Sequence, residues 1–231
     1  MVIDIKDLDV IQINETTYRL IPSRFPPIDL FERVSTPEEF DLLHEIESLT
    51  NDRLRDEVGD ISLVAKEDRI AGNGSGYIMA AFTHAKTKGG GGRFDKGYGI
   101  YYCAKDLVTA FEETKYHRAQ FFRDFNSGPT RIDMRSLVAD LNKELHTIYG
   151  KQDEYPDIYH PDDYTASQSL GKELKKSNSW GIKYSSVRNI AGTCYGVFRP
   201  PALSNCRQSK HYEYQFDGHV ISHVIEKKSA G

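Results

Sequence analysis

Residues 91–114 read Gly-Gly-Arg-Phe-Asp-Lys-Gly-Tyr-Gly-Ile-Tyr-Tyr-Cys-Ala-Lys-Asp-Leu-Val-Thr-Ala-Phe-Glu-Glu-Thr, and they predict a loop, a strand and a helix in that order. The glycine run ends at Arg93, and the tyrosine-rich segment 99–104 predicts a strand. Asp106 is a suitable N-cap for a helix that runs to about Phe122, with apolar residues at helical spacing along it. This stretch therefore predicts a fold that mixes helices with strands.

The same stretch places three kinds of chemical group at the ends of adjacent elements. They are a fixed cation (Arg93), an aromatic hydroxyl (Tyr101 or Tyr102) and a carboxylate (Glu112 or Glu113). A guanidinium can bind phosphate oxygens, while a carboxylate and a hydroxyl can act on a nearby sugar. The combination suits a site that holds a phosphorylated nucleotide while its sugar reacts.

Helical spacing favours Glu113 over Glu112 as the carboxylate of interest. Glu113 lies three residues after Ala110, so it borders the apolar stripe of the predicted helix, whereas Glu112 faces solvent. A carboxylate at the edge of a core needs a cationic or hydroxyl partner, because burying it alone is costly. A structural salt bridge is the alternative interpretation of Glu113.

The rest of the chain predicts an α+β fold with a mostly antiparallel, twisted sheet flanked by helices, in one domain over residues 1–231. Asp217-Gly218 between two alternating runs predicts a hairpin. The predicted strands are 16–21, 77–82, 99–104, 181–185, 193–199, 212–216 and 219–225. The predicted helices are one that Thr36 caps and that carries Phe40, Leu43, Ile46 and Leu49 on one face, then 106–122, 136–148 and 161–176. Two glycine clusters, 72–76 and 89–92, predict flexible loops.

Composition excludes several classes of protein. The chain has 231 residues and a formal net charge of -4, which disfavours general nucleic-acid binding because such proteins usually carry a basic surface. The three cysteines and eight histidines have no metal-ligand spacing. The N-terminus lacks the features of a signal peptide, and no apolar run approaches the ~20 residues that cross a bilayer. We therefore expect a cytoplasmic protein without a metal and without membrane contact.

A second candidate segment lies far from the first in sequence. In Ser185-Ser186-Val187-Arg188, a hydroxyl and a guanidinium follow the strand predicted at 181–185. Loop serines of this kind are more often turn residues than catalytic ones. Neither glycine cluster has the Gly-Lys-Ser/Thr ending of a phosphate-binding P-loop.

Taken together, these segments resemble the RES domain family, named for its Arg, Glu and Ser. The match rests on four short elements in the family's order, and it selects Tyr102 over Tyr101, Glu113 over Glu112, and Ser186. The elements are Gly92-Arg93-Phe94, the strand ending at Tyr102, Ala110-Phe111-Glu112-Glu113, and Gly181-Ile182-Lys183-Tyr184-Ser185-Ser186. The segments 79–84, 113–117 and 197–200 resemble a longer subgroup, with core motifs at about 75–200 and an N-terminal elaboration over 1–75.

The resemblance implies an ADP-ribosyltransferase-like fold and NAD+ as the substrate. Family members are typically toxins of bacterial toxin–antitoxin pairs, held inactive by an Xre-type helix-turn-helix antitoxin. They deplete NAD+ by hydrolysis or phosphorolysis of the nicotinamide–ribose bond, or they ADP-ribosylate a protein. The resemblance is also compatible with a homodimer within the toxin–antitoxin complex.

The resemblance assigns Arg93, Tyr102, Glu113 and Ser186 to the catalytic site. Arg93 would bind the diphosphate, Tyr102 would contact the nicotinamide–ribose end, Ser186 would fix the ribose or carboxamide, and Glu113 would stabilise the ribosyl cation. A further NAD+-binding arginine is expected near the start of the chain, with Arg33 as the candidate and Arg19 and Arg24 as alternatives. A nucleotide-binding module without catalysis and a pure interaction protein are the competing interpretations.

Overall fold

A computed structural model describes residues 4–48, 58–85 and 91–228, and it confirms the α+β class. The strands are β1 (Asp9–Pro22), β2 (Tyr101–Ala104), β3 (Thr130–Thr147), β4 (Gly181–Ser185), β5 (Thr193–Val197), β6 (Leu203–Phe216) and β7 (Ile221–Lys227). The α-helices are α1 (Asp29–Glu32), α2 (Pro37–Ser48), α3 (Ser75–Thr83), α4 (Leu107–Asp124) and α5 (Thr165–Lys176). Short 3-10 turns occupy Ile5–Asp7, Ile61–Leu63, Lys66–Asp68 and Pro200–Ala202.

The seven strands form one sheet in the order β1-β2-β5-β4-β3-β6-β7, and β1 also pairs with β3. The pairing β1–β2–β5–β4–β3–β1 is therefore a closed ring of five strands, from which β6 and β7 extend. Among the described strands, only the short β3–β4 contact is parallel, so the predicted mostly antiparallel character is confirmed. β1 pairs with β3 along its whole length, so the N-terminal segment supplies an integral strand of this sheet.

The two faces of the sheet pack against different helices. Side chains that point to one face of the sheet, such as Leu137 and Tyr195, join the residues of α1, α2 and α3 in one apolar cluster. Side chains that point to the opposite face, such as Ile182 and Cys194, join those of α4 and α5 in a second cluster. This arrangement places α4, which carries Glu113, on the face of the sheet to which Tyr184 also points.

The helix predicted over 136–148 is wrong, because these residues belong to strand β3. Leu137, Leu141 and Leu145 are spaced by four, which fits a helical stripe. A spacing of four also places all three side chains on the same face of a strand, and there they are fully buried. Hydrogen bonding to β1 and to β6 on opposite sides decides in favour of the strand, which a single sequence cannot reveal.

The strand predicted over Tyr77–Phe82 is also wrong, because the segment forms helix α3. A short apolar run is compatible with either a buried strand or a buried helix. Gly74 adopts a left-handed backbone (φ 84°) just before the helix, and the Glu32 carboxylate accepts hydrogen bonds from the amides of Gly74 (2.7 Å) and Gly76 (2.8 Å). The cap is therefore a residue more than forty positions upstream, and the predicted flexible loop 72–76 is instead a fixed helix start.

We expect Glu32→Ala to lower the free energy of unfolding by about 1–2 kcal/mol, because two amides at the start of a buried helix lose their acceptor. Chemical denaturation monitored by circular dichroism measures the change. Glu38→Ala, at an exposed position in the first turn of α2, is the control and should have a smaller effect. Equal stability of Glu32→Ala and the wild type would show that the Glu32 contacts are not a cap.

The other predicted elements hold with small changes. Thr36 caps α2 and Asp106 caps α4, each accepting from the amide three residues later. α5 begins at Thr165, four residues later than predicted. The Asp217-Gly218 hairpin is confirmed, with a longer first strand and a second strand of the predicted length shifted by two residues. On α2, Ile46 is exposed rather than packed on the core, while Leu49 and residues 89 and 90 lie outside the described residues. In the described parts of the chain, no helix combines the length and apolar character that a membrane span requires.

Candidate functional site

Glu113 and Ser186 are in direct contact, although they lie 73 residues apart in the chain. Glu113 is on the second turn of α4, and Ser186 follows β4 immediately. The Ser186 hydroxyl donates to Glu113 Oε1 at 2.6 Å. Ser186 is 5% exposed and the Glu113 side chain 20% exposed, so the serine is buried while the carboxylate remains partly accessible.

The backbone around Ser186 fixes the direction of this hydrogen bond. The Ser186 Oγ accepts from the amides of Arg188 (3.0 Å) and Asn189 (2.9 Å), and the Ser186 amide donates to the carbonyl of Gly192. Because two amides donate to its lone pairs, the Ser186 hydroxyl can act only as a donor in any further hydrogen bond, and it donates to Glu113. The contact therefore orients the carboxylate and leaves its second oxygen, Oε2, available for other groups.

Arg93 is buried, at 7% exposure, and it anchors a neighbouring loop. Its Nη1 donates to the carbonyl oxygens of Ile158 (2.9 Å) and His160 (3.0 Å), and its guanidinium lies 4.7 Å from the centre of the Tyr164 ring. Among the described residues, Nη1 is the only Arg93 nitrogen with a hydrogen-bond acceptor in the protein. The bonds from Nη1 hold the positive charge in place.

Tyr102 uses its hydroxyl to hold the loop that carries Arg93. The hydroxyl donates to Asp95 Oδ1 at 2.6 Å and accepts from the Phe94 amide at 2.8 Å. Burial and the neighbouring Asp95 raise the pKa of Tyr102 well above its usual range, so the hydroxyl stays protonated. The structure therefore places this hydroxyl against the protein, and it acts on Arg93 through the turn 92–95.

We expect Tyr102→Phe to lower the free energy of unfolding by about 1–2 kcal/mol at neutral pH, because Asp95 and the Phe94 amide lose a partner. Burial raises the pKa of Asp95, and the Tyr102 hydroxyl opposes that rise. Without the hydroxyl the folded-state pKa rises further, and a raised carboxyl pKa lowers stability as pH increases through it.

The stability deficit of Tyr102→Phe should therefore be small near about pH 4 and grow toward neutral pH. Denaturation curves at several pH values measure the deficit. The control is Tyr149→Phe, because the Tyr149 side chain is 43% exposed and its loss of a hydroxyl should have a smaller effect. A deficit that stays constant across this range would argue against the Asp95 contact.

Three further residues lie at the site: Arg188, which the sequence analysis noted beside Ser186, and Tyr116 and His117, which it placed in the family-like segment 113–117 without a role. His117 lies one helical turn after Glu113, with its Nε2 4.0 Å from Glu113 Oε2. The Arg188 guanidinium is stacked 3.3 Å from the centre of the Tyr116 ring, and both side chains bond to Asp162. The signal that could have identified His117 is its i, i+4 spacing from Glu113 on a helix.

The three N-terminal arginines occupy different places. Arg33 lies at the end of α1, with its guanidinium 3.9 Å from the Asp29 carboxylate. Arg24 lies over the Phe25 ring at 4.8 Å. Arg19, on β1, donates from Nη1 to the carbonyl of Tyr102 at 2.9 Å and packs on the Tyr101 ring. Arg19 is therefore linked directly to the strand that positions Arg93.

The site contains no arrangement for a metal in the part of the chain that the structure describes. No group of three or more histidine, cysteine, aspartate or glutamate side chains is placed to hold an ion there. The nearest cysteine, Cys194, has its Sγ 3.8 Å from Glu113 Oε1. Burial and the Glu113 charge raise the pKa of this thiol well above its usual range, so it remains protonated.

Comparisons with known proteins identify one family. The family model described as the RES domain matches residues 66–217, a range that includes Arg93, Tyr102, Glu113 and Ser186. The uncharacterized protein y4oC of Sinorhizobium fredii (strain NBRC 101917 / NGR234) is 27% identical over 226 residues, which are 97% of this chain and 93% of the relative. A chain in the crystal structure of the M. tuberculosis MbcT–MbcA toxin–antitoxin complex matches with a TM-score of 0.47 and 12% identity, over 93% of this chain and 90% of that chain.

Proposed function

The chain belongs to the RES domain family, and we propose that it is a toxin-like bacterial enzyme that cleaves the nicotinamide–ribose bond of NAD+. The observation that carries the proposal is the contact between Glu113 and Ser186 at 2.6 Å. Two residues that the family resemblance selects, far apart in the chain, meet at one point. Arg93, another residue that the resemblance selects, contributes to lowering the pKa values of His117 and Tyr184, which the Glu113 charge raises.

The chemistry needs an anion next to the ribose. As the bond to nicotinamide breaks, its electrons leave with the base and positive charge grows on the ribose, as in glycoside hydrolysis. The Glu113 carboxylate, oriented by Ser186, stabilises this charge from a fixed position. Preorganised groups of this kind avoid the cost of reorganising water during the reaction.

The diphosphate of NAD+ is assigned to Arg93. A buried, fixed guanidinium with free N–H groups can make paired charged hydrogen bonds to phosphate oxygens. Tyr102 positions Arg93 through the turn 92–95. The hydrogen bond from Arg19 to the carbonyl of Tyr102 favours Arg19 over Arg33 as the additional N-terminal contributor.

The nucleophile that ends the reaction decides the product. Water gives ADP-ribose, inorganic phosphate gives ADP-ribose-1″-phosphate, and a protein side chain gives an ADP-ribosylated protein. We assign depletion of NAD+ by water or phosphate as the main activity, since a small nucleophile needs no protein docking surface.

The biological partner that fits this role is a cognate Xre-type helix-turn-helix antitoxin. An enzyme that depletes NAD+ in the cytoplasm of its own host must be held inactive until it is needed. Co-expression of a cognate antitoxin should therefore restore growth to cells that express the chain.

Expression in a bacterium tests the proposal. Induction of the wild-type chain should stop growth, and the cellular NAD+ content should fall before growth stops. Cells that express the Glu113→Gln variant at the same level should keep both their growth rate and their NAD+. Growth arrest at an unchanged NAD+ content would refute NAD+ depletion as the function.

A further inference from the structure

We propose that His117 is the general base that takes the proton from the nucleophile attacking the ribose C1′. The inference rests on the proposed cleavage of NAD+ and adds a catalytic residue to it. Glu113 and His117 have different roles. Glu113 stabilises the positive charge on the ribose, and His117 deprotonates the nucleophile that attacks C1′.

The distance between the two side chains carries the inference. His117 Nε2 and Glu113 Oε2 are 4.0 Å apart, which is too far for a direct hydrogen bond. One oxygen atom placed at a normal hydrogen-bond distance of about 2.8 Å from each of them fits between the two groups. Because Glu113 Oε1 already accepts from Ser186, Oε2 is the oxygen that faces this position.

His117 is both accessible and held in place. Its side chain is 46% exposed, so a small nucleophile can reach the ring. The imidazole packs edge-on against the Tyr116 ring, with 5.4 Å between the ring centres and an interplanar angle of 77°. Tyr116 in turn donates to Asp162 and stacks under Arg188, so the surface behind the imidazole is fixed.

Partial burial of His117 favours its neutral form, which is the form that accepts a proton. Desolvation by the surrounding protein lowers the pKa of His117, and Arg188, Arg118 and Arg93 lower it further, while Glu113 opposes them. The negative charge of Asp162 is paired with Arg188 at 3.3 Å. At neutral pH the imidazole is therefore deprotonated and ready to act as a base.

The step balances with water as the nucleophile. The C1′–N bond breaks and its electron pair leaves with neutral nicotinamide. A water oxygen forms the new bond to C1′ and gives one proton to His117 Nε2, which then releases it to solvent. The products are ADP-ribose, nicotinamide and one proton, with no redox change.

Steady-state kinetics of His117→Gln test the inference. We expect kcat for NAD+ hydrolysis to fall about 100-fold, the lower end of the usual contribution of a general base, while KM stays within about threefold. Azide is an anion that needs no deprotonation, so it should restore the rate of the variant by forming the glycosyl azide. His223→Gln, at an exposed position on β7, is the matched control and should behave as the wild type.

The pH profile gives a second readout. Because the folded-state pKa of His117 is lowered, wild-type activity should be full at neutral pH. It should fall tenfold per pH unit only below that pKa, and this acid limb should be missing in His117→Gln. His117→Asn and a thermal unfolding measurement separate loss of the base from loss of the fold.

The outcomes separate the two proposals. A wild-type protein that consumes no NAD+ refutes the proposed function. A wild-type protein that consumes NAD+ while a folded His117→Gln variant keeps its kcat, or loses it without azide rescue, overturns the role of His117 alone.

Discussion

We expect Glu113→Gln to abolish nicotinamide release from NAD+, with kcat reduced by at least about 10²–10³-fold, the usual range when one preorganised electrostatic group is removed. The amide oxygen can still accept the Ser186 hydroxyl, so the geometry of the pair persists while the negative charge is lost. The fold should therefore survive, with a free energy of unfolding within about 1 kcal/mol of the wild type. Steady-state nicotinamide release and denaturation curves measure the two quantities.

Glu112→Gln is the matched control for this prediction. Glu112 is the adjacent residue on α4, but its side chain is 39% exposed and pairs with Lys115 at 2.9 Å. A surface pair of this type contributes little to stability, and the substitution should leave kcat unchanged. A Glu113→Gln variant with wild-type turnover would remove Glu113 from the mechanism.

Arg93→Lys has the second largest expected effect, a drop of about 100-fold in kcat/KM, because a lysine cannot copy the planar fork of the guanidinium. A lysine ammonium can replace some of the bonds from Nη1 to the carbonyls of Ile158 and His160, but it leaves no second amino group for a phosphate. We expect KM for NAD+ to rise and the free energy of unfolding to fall by about 1–3 kcal/mol, because a buried carbonyl loses its donor.

Arg131→Lys provides the control for Arg93→Lys. The Arg131 side chain, on β3, is 71% exposed and lies 3.7 Å from Glu213. The stability and the kinetics of the Arg131→Lys variant should therefore be close to those of the wild type. If Arg93→Lys retained wild-type KM and kcat, the diphosphate would have to be bound by other residues.

The sequence predicted elements with local signals better than elements that depend on distant partners, for a physical reason. Helix α4 has a local cap and a stripe of its own, and the β6–β7 hairpin has its own turn, so local patterns suffice. β3 and α3 depend on distant partners: β3 pairs with β1 and β6, and α3 is capped by Glu32. Their local patterns fitted either type of element, and the tertiary contacts decided.

The sequence identified residues of the candidate site, but it did not predict most of the contacts between them. Glu113 and Ser186 were named from spacing and family resemblance, and the structure brings them together. The engagement of the Tyr102 hydroxyl by Asp95 was not predictable, because it depends on how the loop after Arg93 turns back on the strand. The bond from Arg19 to Tyr102 links a strand pair distant in the chain, which spacing alone does not reveal.

The most direct test of the account is to incubate the purified protein with NAD+, with and without inorganic phosphate, and to identify the ribose product by mass. The account predicts free nicotinamide in equal amount to ADP-ribose, or to ADP-ribose-1″-phosphate when phosphate is the nucleophile. Binding of NAD+ without release of nicotinamide would contradict it and would identify the chain as a nucleotide-binding module.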